Sequence, residues 1–225
     1  MSNFDQLPII QDVEEPKCSC LFLLDVSGSM DGAPIGQLNK GLKVFASQIS
    51  ADSLVCKRVE VGIITFGPVK EHTSFISARD FRPPELSATG NTPMGQAISD
   101  GANLIQQRKL LYKSQGIAYY KPMVFLITDG GPTDEENVWN EATRRVKKDE
   151  AEGRYRFFPI GVEGANFARL RELGPREPLK LKGLRFDEFF AWVARSLSQT
   201  SRSQPDETIT LENPTAPNGW GEMAP

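Results

Sequence analysis

Two patterns of apolar residues alternate along the chain. Residues 21–24 and 123–127 are unbroken apolar runs, typical of strands that are buried on both faces of a parallel sheet. Residues 34–52 instead carry apolar side chains every three or four positions, which gives an amphipathic helix one buried face. The alternation of the two patterns predicts an α/β fold, with a mostly parallel central sheet and helices on both of its faces.

The same patterns give a prediction for each element. Strands are predicted at about residues 18–25, 59–66, 71–76, 123–127, 155–162 and 179–181. Helices are predicted at about residues 34–52, 93–111, 138–152, 167–173 and 186–198. The mixed polar and apolar segment 71–76 is interpreted as one antiparallel edge strand, and the brief segment 179–181 as a second strand at an edge.

The length and composition indicate one domain with two flanking segments. A chain of 225 residues fits a single large domain. We predict an N-terminal arm at residues 1–16, the domain at 17–200, and a polar, proline-containing tail at 201–225. In the tail, residues 208–211 alternate like a short strand, and Trp220 is isolated among polar residues and glycines. This tail is either solvated or anchored in a pocket through Trp220.

The charge and the termini narrow the class of protein. A formal net charge of -3 gives no bulk attraction to nucleic acid or to an anionic membrane. The first residues have no cationic stretch followed by an apolar one, and no apolar run reaches the ~20 residues that span a bilayer. We therefore expect a cytoplasmic protein. The three cysteines lack the partners of a zinc site and are interpreted as reduced thiols.

Oxygen-bearing side chains follow the two buried strands. Asp25, Ser27 and Ser29 come at alternate positions after the first apolar run, and Asp129 comes directly after the second. Thr92 lies between them, in a glycine-containing loop before a predicted helix. Ligand sites in open α/β sheets lie at the carboxyl ends of the strands. Because hydroxyl and carboxylate oxygens suit hard divalent cations, we predict that these five residues form one metal site.

These residues also resemble a known motif. The sequence Asp-Val-Ser-Gly-Ser-Met at residues 25–30, Thr92 in its loop, and Thr-Asp-Gly at 128–130 are similar to the metal-ion-dependent adhesion site of von Willebrand factor type A domains. The resemblance covers roughly residues 18–200 and implies the Rossmann-like fold of that family. The residues of these motifs are most similar to those of the intracellular bacterial branch of the family, including the TerY-like proteins of tellurium-resistance gene clusters.

The resemblance implies a function in protein binding. The expected cofactor is Mg²⁺, with Mn²⁺ or Ca²⁺ as alternatives, and the hydroxyls ligate it directly while the aspartates act directly or through waters. An open coordination position would then take an Asp or Glu of a partner protein. Gly28 is expected to let the loop bend, and Thr89 and Asn91 to hydrogen-bond around the ligands. The resemblance to the intracellular branch also implies a protein kinase, a phosphatase or an AAA-type ATPase as partner, in a stress or tellurium-resistance system.

An enzyme is the alternative from a different class. Haloacid-dehalogenase-like phosphohydrolases also place an aspartate after an apolar strand, but they carry a second acid two residues later, where this chain has Ser27. A serine hydrolase needs a base beside its serine, and the single histidine, His72, is predicted on the edge strand. We therefore predict a non-catalytic module. For residues 201–225, the hypothesis is that the tail docks on the domain, with Trp220 buried and a tail glutamate near the metal.

Overall fold

The computed structural model describes residues 8–207 and 209–225 as one sheet flanked by helices. Its strands are β1 (Cys18–Asp25), β2 (Val59–Phe66), β3 (Lys70–Ser77), β4 (Met123–Thr128), β5 (Arg156–Gly161), β6 (Leu179–Leu181) and β7 (Gly221–Met223). Its helices are α1 (Ala33–Ser50), α2 (Ser53–Arg58), α3 (Met94–Ser114), α4 (Glu136–Ala151), α5 (Phe167–Glu172) and α6 (Phe186–Ser201), with a short 3-10 turn at Gly28–Met30.

The strands pair in the order β3-β2-β1-β4-β5-β6-β7. The five inner strands, β2, β1, β4, β5 and β6, run parallel to one another. Strands β3 and β7 pair antiparallel at the two edges. The predicted fold class is confirmed, including the antiparallel edge strand at β3. The prediction that residues 179–181 form an edge strand is wrong, because β7 pairs along the outer side of β6.

Apolar side chains from both faces of the sheet form the core. Every residue of β1, β2 and β4 is buried, as the unbroken apolar runs predicted for β1 and β4. On one face, Phe22 packs against Phe45 of α1, Phe125 of β4 and Phe190 of α6, with ring centroids 5.1–5.7 Å apart. On the other face, α3, α4 and α5 cover the sheet. This packing fixes the ends of β1 and β4, where Asp25 and Asp129 lie.

The helix predicted at residues 34–52 corresponds to α1, and a second helix that was not predicted, α2, follows it. Helix α1 ends at Ser50, and the Asp52 carboxylate accepts hydrogen bonds from the backbone N–H groups of Leu54 and Val55 at the start of α2. A carboxylate that caps the first N–H groups of a helix satisfies donors that have no partner within it. Asp52 therefore starts a new helix and does not end the first.

The C-terminal segment packs onto the domain. The Trp220 side chain is 3% exposed and lies against Phe189 and Trp192 of α6, with centroids 4.9 and 5.5 Å apart. Residues 209–211 form no strand, and Thr208 lies outside the described residues. Of the tail acids, Glu212 pairs with Arg195 and Glu222 with Lys180. The burial of Trp220 matches the docking hypothesis, but these two glutamates are engaged at α6 and β6.

Candidate metal centre

The loop after β1 gathers its polar side chains around the Asp25 carboxylate. Asp25 ends the strand with a fully buried side chain, and its Oδ1 accepts a hydrogen bond of 2.8 Å from the Ser27 backbone N–H. The Ser27 and Ser29 hydroxyl oxygens lie 3.0 Å apart. The loop turns because residues 28–30 form a 3-10 turn, in which the Met30 side chain is buried as an apolar anchor.

The end of β4 brings a second carboxylate to this loop. Parallel pairing places Leu24 opposite Ile127, so that Asp25 and Thr128 follow side by side. The Thr128 hydroxyl donates a hydrogen bond of 2.5 Å to Asp25 Oδ2, and the Ser29 hydroxyl donates one of 2.7 Å to Asp129 Oδ1. Four of the five predicted residues, Asp25, Ser27, Ser29 and Asp129, are thus joined in one hydrogen-bonded cluster.

Thr92 reaches the same region from the loop before α3. Its side chain is 7% exposed, and its Oγ1 would lie 3.6 Å from a Cβ built on Gly130, the residue after Asp129. Its backbone N–H donates to Thr133 Oγ1, and its carbonyl accepts from the Thr133 N–H. This pair of bonds ties the Thr92 loop to the loop after β4, so that the Thr92 hydroxyl lies beside the Asp129 segment.

Backbone contacts bring the Thr92 loop onto the loop after β1. Gly28 N–H donates to the Gly90 carbonyl, and Thr89 N–H donates to the Val26 carbonyl. Gly90 has a φ of +73°, and a Cβ there would lie 1.7 Å from the Gly67 carbonyl oxygen, so a side chain has no room. The requirement for glycine thus falls on Gly90.

The residues predicted around the ligands contribute differently from the expectation. A Cβ on Gly28 would make an ordinary contact of 3.6 Å with the Gly90 carbonyl, and its φ is not positive, so its expected role in bending the loop is not needed. The side chains of Thr89 and Asn91 are exposed, and among the described residues the contact of Thr89 with the site loops is made by its backbone.

Two contributors were missed by the sequence reasoning. Thr128 belongs to the Thr-Asp-Gly motif, but no contact was predicted for its side chain. Its position at the end of β4, beside the end of β1, is the feature from which a contact with Asp25 could have been predicted. Asp134 accepts hydrogen bonds from the backbone N–H groups of Gly95 and Gln96 and thereby caps α3, the helix that follows Thr92. Its sequence neighbours point to a cap of α4, so no local signal reveals this long-range contact.

The electrostatics of the cluster suit a cation. Among the described residues, neither Asp25 nor Asp129 lies within ion-pair distance of a lysine or arginine. Burial raises the pKa of Asp25, hydrogen bonds from Ser27 and Thr128 oppose that rise, and the nearby Asp129 charge adds to it. A buried carboxylate beside a second acid, without a basic partner, is a group that a divalent cation would stabilise.

The donor set fits a hard cation in its chemistry. Two carboxylates and three hydroxyls are all oxygen donors, the class that Mg²⁺, Mn²⁺ and Ca²⁺ prefer. Within the described part of the chain, no group of three or more His, Cys, Asp and Glu side chains could hold a metal. A site in this region therefore depends on the serine and threonine hydroxyls, whose lone pairs fill coordination positions without adding charge.

Comparison with known proteins identifies the family. Residues 20–183 match the family model of the von Willebrand factor type A domain. The chain belongs to the von Willebrand factor type A domain family. Domains of this family generally act as protein-interaction modules without enzymatic activity, and they often bind a divalent metal. A search of the curated proteins found no match.

Solved structures share the fold at low sequence identity. The pilus adhesin SpaC from Lactobacillus rhamnosus GG is 15% identical with a TM-score of 0.65, covering 82% of this chain and 31% of that chain. The von Willebrand factor domain of the pilus tip protein Mfa5 from Porphyromonas gingivalis is 11% identical with a TM-score of 0.61, covering 87% and 99%. Proximal thread matrix protein 1 from the mussel byssus is 17% identical with a TM-score of 0.55, covering 82% and 48%.

These likenesses establish the fold. This chain spans less than half of the mussel protein and less than a third of SpaC, so the activities of those whole proteins reach it only as proposals. No helix among the described residues is long and apolar enough to cross a membrane.

Proposed function

We propose that this protein is a non-catalytic interaction module that binds an acidic side chain of a partner protein through a divalent cation. The proposed ligands are Asp25, Ser27, Ser29, Thr92 and Asp129, and the proposed cation is Mg²⁺. The observation that carries the proposal is the hydrogen-bonded cluster at the carboxyl end of the sheet, in which two buried carboxylates contact hydroxyls and have no basic partner among the described residues.

The chain's own residues have separate tasks in this proposal. The aspartates offset the charge of the cation, while the neutral hydroxyls complete its surroundings without cancelling more of that charge. Thr128 holds the Asp25 carboxylate through the 2.5 Å hydrogen bond, which leaves Oδ1 to the Ser27 N–H. A bound cation would supply an open coordination position at which the carboxylate of a partner can bind.

Direct metal binding tests the first half of the proposal. We expect Mg²⁺ and Mn²⁺ to bind the wild-type protein with one-to-one stoichiometry in titration calorimetry, and Asp129→Asn and Ser27→Ala to lose that binding. Asp206→Asn and Ser87→Ala are matched controls, because both positions are exposed and lie outside the cluster. Unchanged Mn²⁺ affinity in Asp129→Asn would contradict the ligand set.

Partner binding tests the second half. Wild-type protein should retain a partner in Mg²⁺ and release it in a chelator, whereas Asp129→Asn should not retain it in either buffer. The narrower prediction, a cytoplasmic TerY-like role with a kinase, a phosphatase or an AAA-type ATPase, rests on the resemblance of the motifs and is tested by the identity of that partner. A partner retained equally by Asp129→Asn would show that the metal does not carry the contact.

The alternative of a phosphohydrolase makes a different prediction. It requires hydrolysis of a phosphate ester that depends on a divalent cation and is lost in Asp25→Asn. Serine stands at position 27, where that class of enzyme carries its second acid, and it leaves no proton donor for the leaving group. We expect no turnover of p-nitrophenyl phosphate by the wild type above the level of Asp25→Asn.

A further inference from the structure

A cavity of about 590 Å³ lies between the sheet, α6 and the C-terminal tail, away from the metal cluster. Arg156 and Phe158 of β5 and Trp192 of α6 line its domain side, and Ile209 and Leu211 of the tail line the other. Arg156 pairs with Met123 at the start of β4, whereas the cluster lies at the other end, beyond Thr128. At ~3.3 Å per residue, about 17 Å of strand separate Arg156 from the cluster.

Arg156 is the unusual residue of this cavity. Among the described residues, its side chain makes no hydrogen bond and no ion pair, although it is half-buried. The other charged groups that line the cavity each have a partner: Arg176 pairs with Glu150, Glu177 with Arg171 and Glu212 with Arg195. Burial lowers the pKa of Arg156, and the nearby positive charge of Arg176 lowers it further. An anion placed here would offset both effects.

The lining also includes flat apolar surfaces. The Trp192 side chain is 4% exposed, and the Arg176 guanidinium stacks over the Phe158 ring at 5.0 Å. The Trp192 indole N–H already donates to the Glu212 carbonyl, so this ring has no free donor for a ligand. Three prolines contribute further rigid apolar surface: Pro159, Pro175 and Pro214. A cavity of this volume falls within the ~300–1,000 Å³ of small-molecule sites, which combine an apolar lining with few polar groups.

We propose that this cavity binds a small planar aromatic anion, with the charged group at Arg156 and the ring against Trp192 and the tail residues Ile209 and Leu211. The guanidinium forms charge-assisted hydrogen bonds with a carboxylate, sulfonate or phosphate. The aromatic and proline surfaces take the ring, because planar rings bury a large area at small entropic cost. Since the tail forms one wall, ligand binding would also hold the tail on the domain.

A probe series on the wild-type protein tests the proposal without any substitution. We expect 1-naphthalenesulfonate to bind saturably with one-to-one stoichiometry in titration calorimetry. The neutral 1-naphthol and inorganic sulfate should each bind at least ~10-fold more weakly, because each lacks one half of the recognition. Equal affinity for 1-naphthol would overturn the role of the charge. Equal affinity for sulfate would overturn the role of the ring. If 1-naphthalenesulfonate does not bind saturably, the proposed site is wrong.

Substitutions then assign the charge to one residue. Arg156→Met keeps the apolar stem and should weaken 1-naphthalenesulfonate binding ~10-fold or more, while Arg156→Lys keeps the charge and should lose less affinity than Arg156→Met. Arg144→Met is the matched control, because Arg144 is an exposed arginine on α4. Asp25→Asn should also bind the probe like the wild type, which separates this site from the metal cluster. Unchanged affinity in Arg156→Met would overturn the assignment.

Discussion

Asp25 and Glu60 are buried carboxylates at opposite ends of the neighbouring strands β1 and β2, and their partners differ. Glu60 receives two hydrogen bonds from the Arg108 guanidinium, at 2.6 and 2.8 Å, and one from the Tyr112 hydroxyl. Asp25 receives hydrogen bonds from the Ser27 N–H and from the Thr128 hydroxyl, which are neutral donors. Glu60 is paired with a basic residue, whereas Asp25 has no basic partner among the described residues.

This difference separates a structural role from a binding role. The Glu60 network closes on itself, because Tyr112 also contacts the Ser19 hydroxyl, and Arg108 also bonds the Pro8 carbonyl of the N-terminal arm. Every strong donor and acceptor there has a partner, so no ligand is needed. The Asp25 cluster collects a second acid and three hydroxyls, which is the arrangement expected of a site that is completed by a cation.

The largest expected effect comes from breaking the closed network. Arg108→Met leaves the Glu60 charge buried without a counter-ion, so we expect the free energy of unfolding to fall by about 3–5 kcal/mol in urea denaturation. The exposed pair Lys43–Glu85 provides the control, because Lys43→Met should change stability by less than ~1 kcal/mol. If Arg108→Met lowers the free energy of unfolding by less than ~1 kcal/mol, the protein tolerates the buried charge of Glu60 without a counter-ion.

The double variant sharpens this result. Replacing both partners, as in Glu60→Gln with Arg108→Met, removes the uncompensated charge and should recover part of the lost stability, since each single change leaves a partner unpaired. Additive losses would argue that the two residues act independently, against the hydrogen bonds that join them.

The second expected effect is stabilisation by metal at the other carboxylate. Mg²⁺ at 100 times its dissociation constant should raise the free energy of unfolding of the wild type by about 2.7 kcal/mol, because a cation that binds only the folded state stabilises it. Asp25→Asn should show no such increase, measured by thermal denaturation in Mg²⁺ and in a chelator. An equal increase in both proteins would place the metal elsewhere.

The third effect concerns the hydroxyl that holds Asp25. Thr128→Val keeps the branched shape of the buried side chain and removes the donor of the 2.5 Å hydrogen bond. Groups that orient a ligand contribute about 10–100-fold to metal affinity, so we expect Mg²⁺ binding to weaken by at least ~10-fold in calorimetry. Thr143→Val, a change at a buried threonine of α4, is the control and should bind Mg²⁺ normally.

The smallest effect tests the edge of the closed network. Ser19→Ala removes one hydroxyl contact of Tyr112, whose hydroxyl still donates to Glu60, so we expect a loss of about 1 kcal/mol in stability. Its Mg²⁺ affinity should equal that of the wild type, because Ser19 lies at the opposite end of β1 from Asp25. A change in metal affinity would indicate coupling between the two ends of the strand.

Local patterns carried most of the fold. The apolar runs at β1 and β4 predicted buried strands because a strand covered on both faces requires apolar side chains at every position. The same runs predicted where the strands end, and hence that Asp25 and Asp129 lie together at the carboxyl end of the sheet. The metal-ligand assignment itself stays a prediction, to which the structure adds the contacts among these side chains.

The tertiary structure decided what depends on contacts between distant segments. The bond from Thr128 to Asp25 follows from the register of β1 and β4, and the cap that Asp134 places on α3 joins residues about 40 positions apart. Strand β7, with the sequence Gly-Glu-Met, has no apolar run, and it directly follows Trp220, which packs on α6. The sequence by itself determined most of the helices and strands and the side chains at their ends, because those depend on neighbours along the chain. Pairing, capping and docking depend on which surfaces meet after folding.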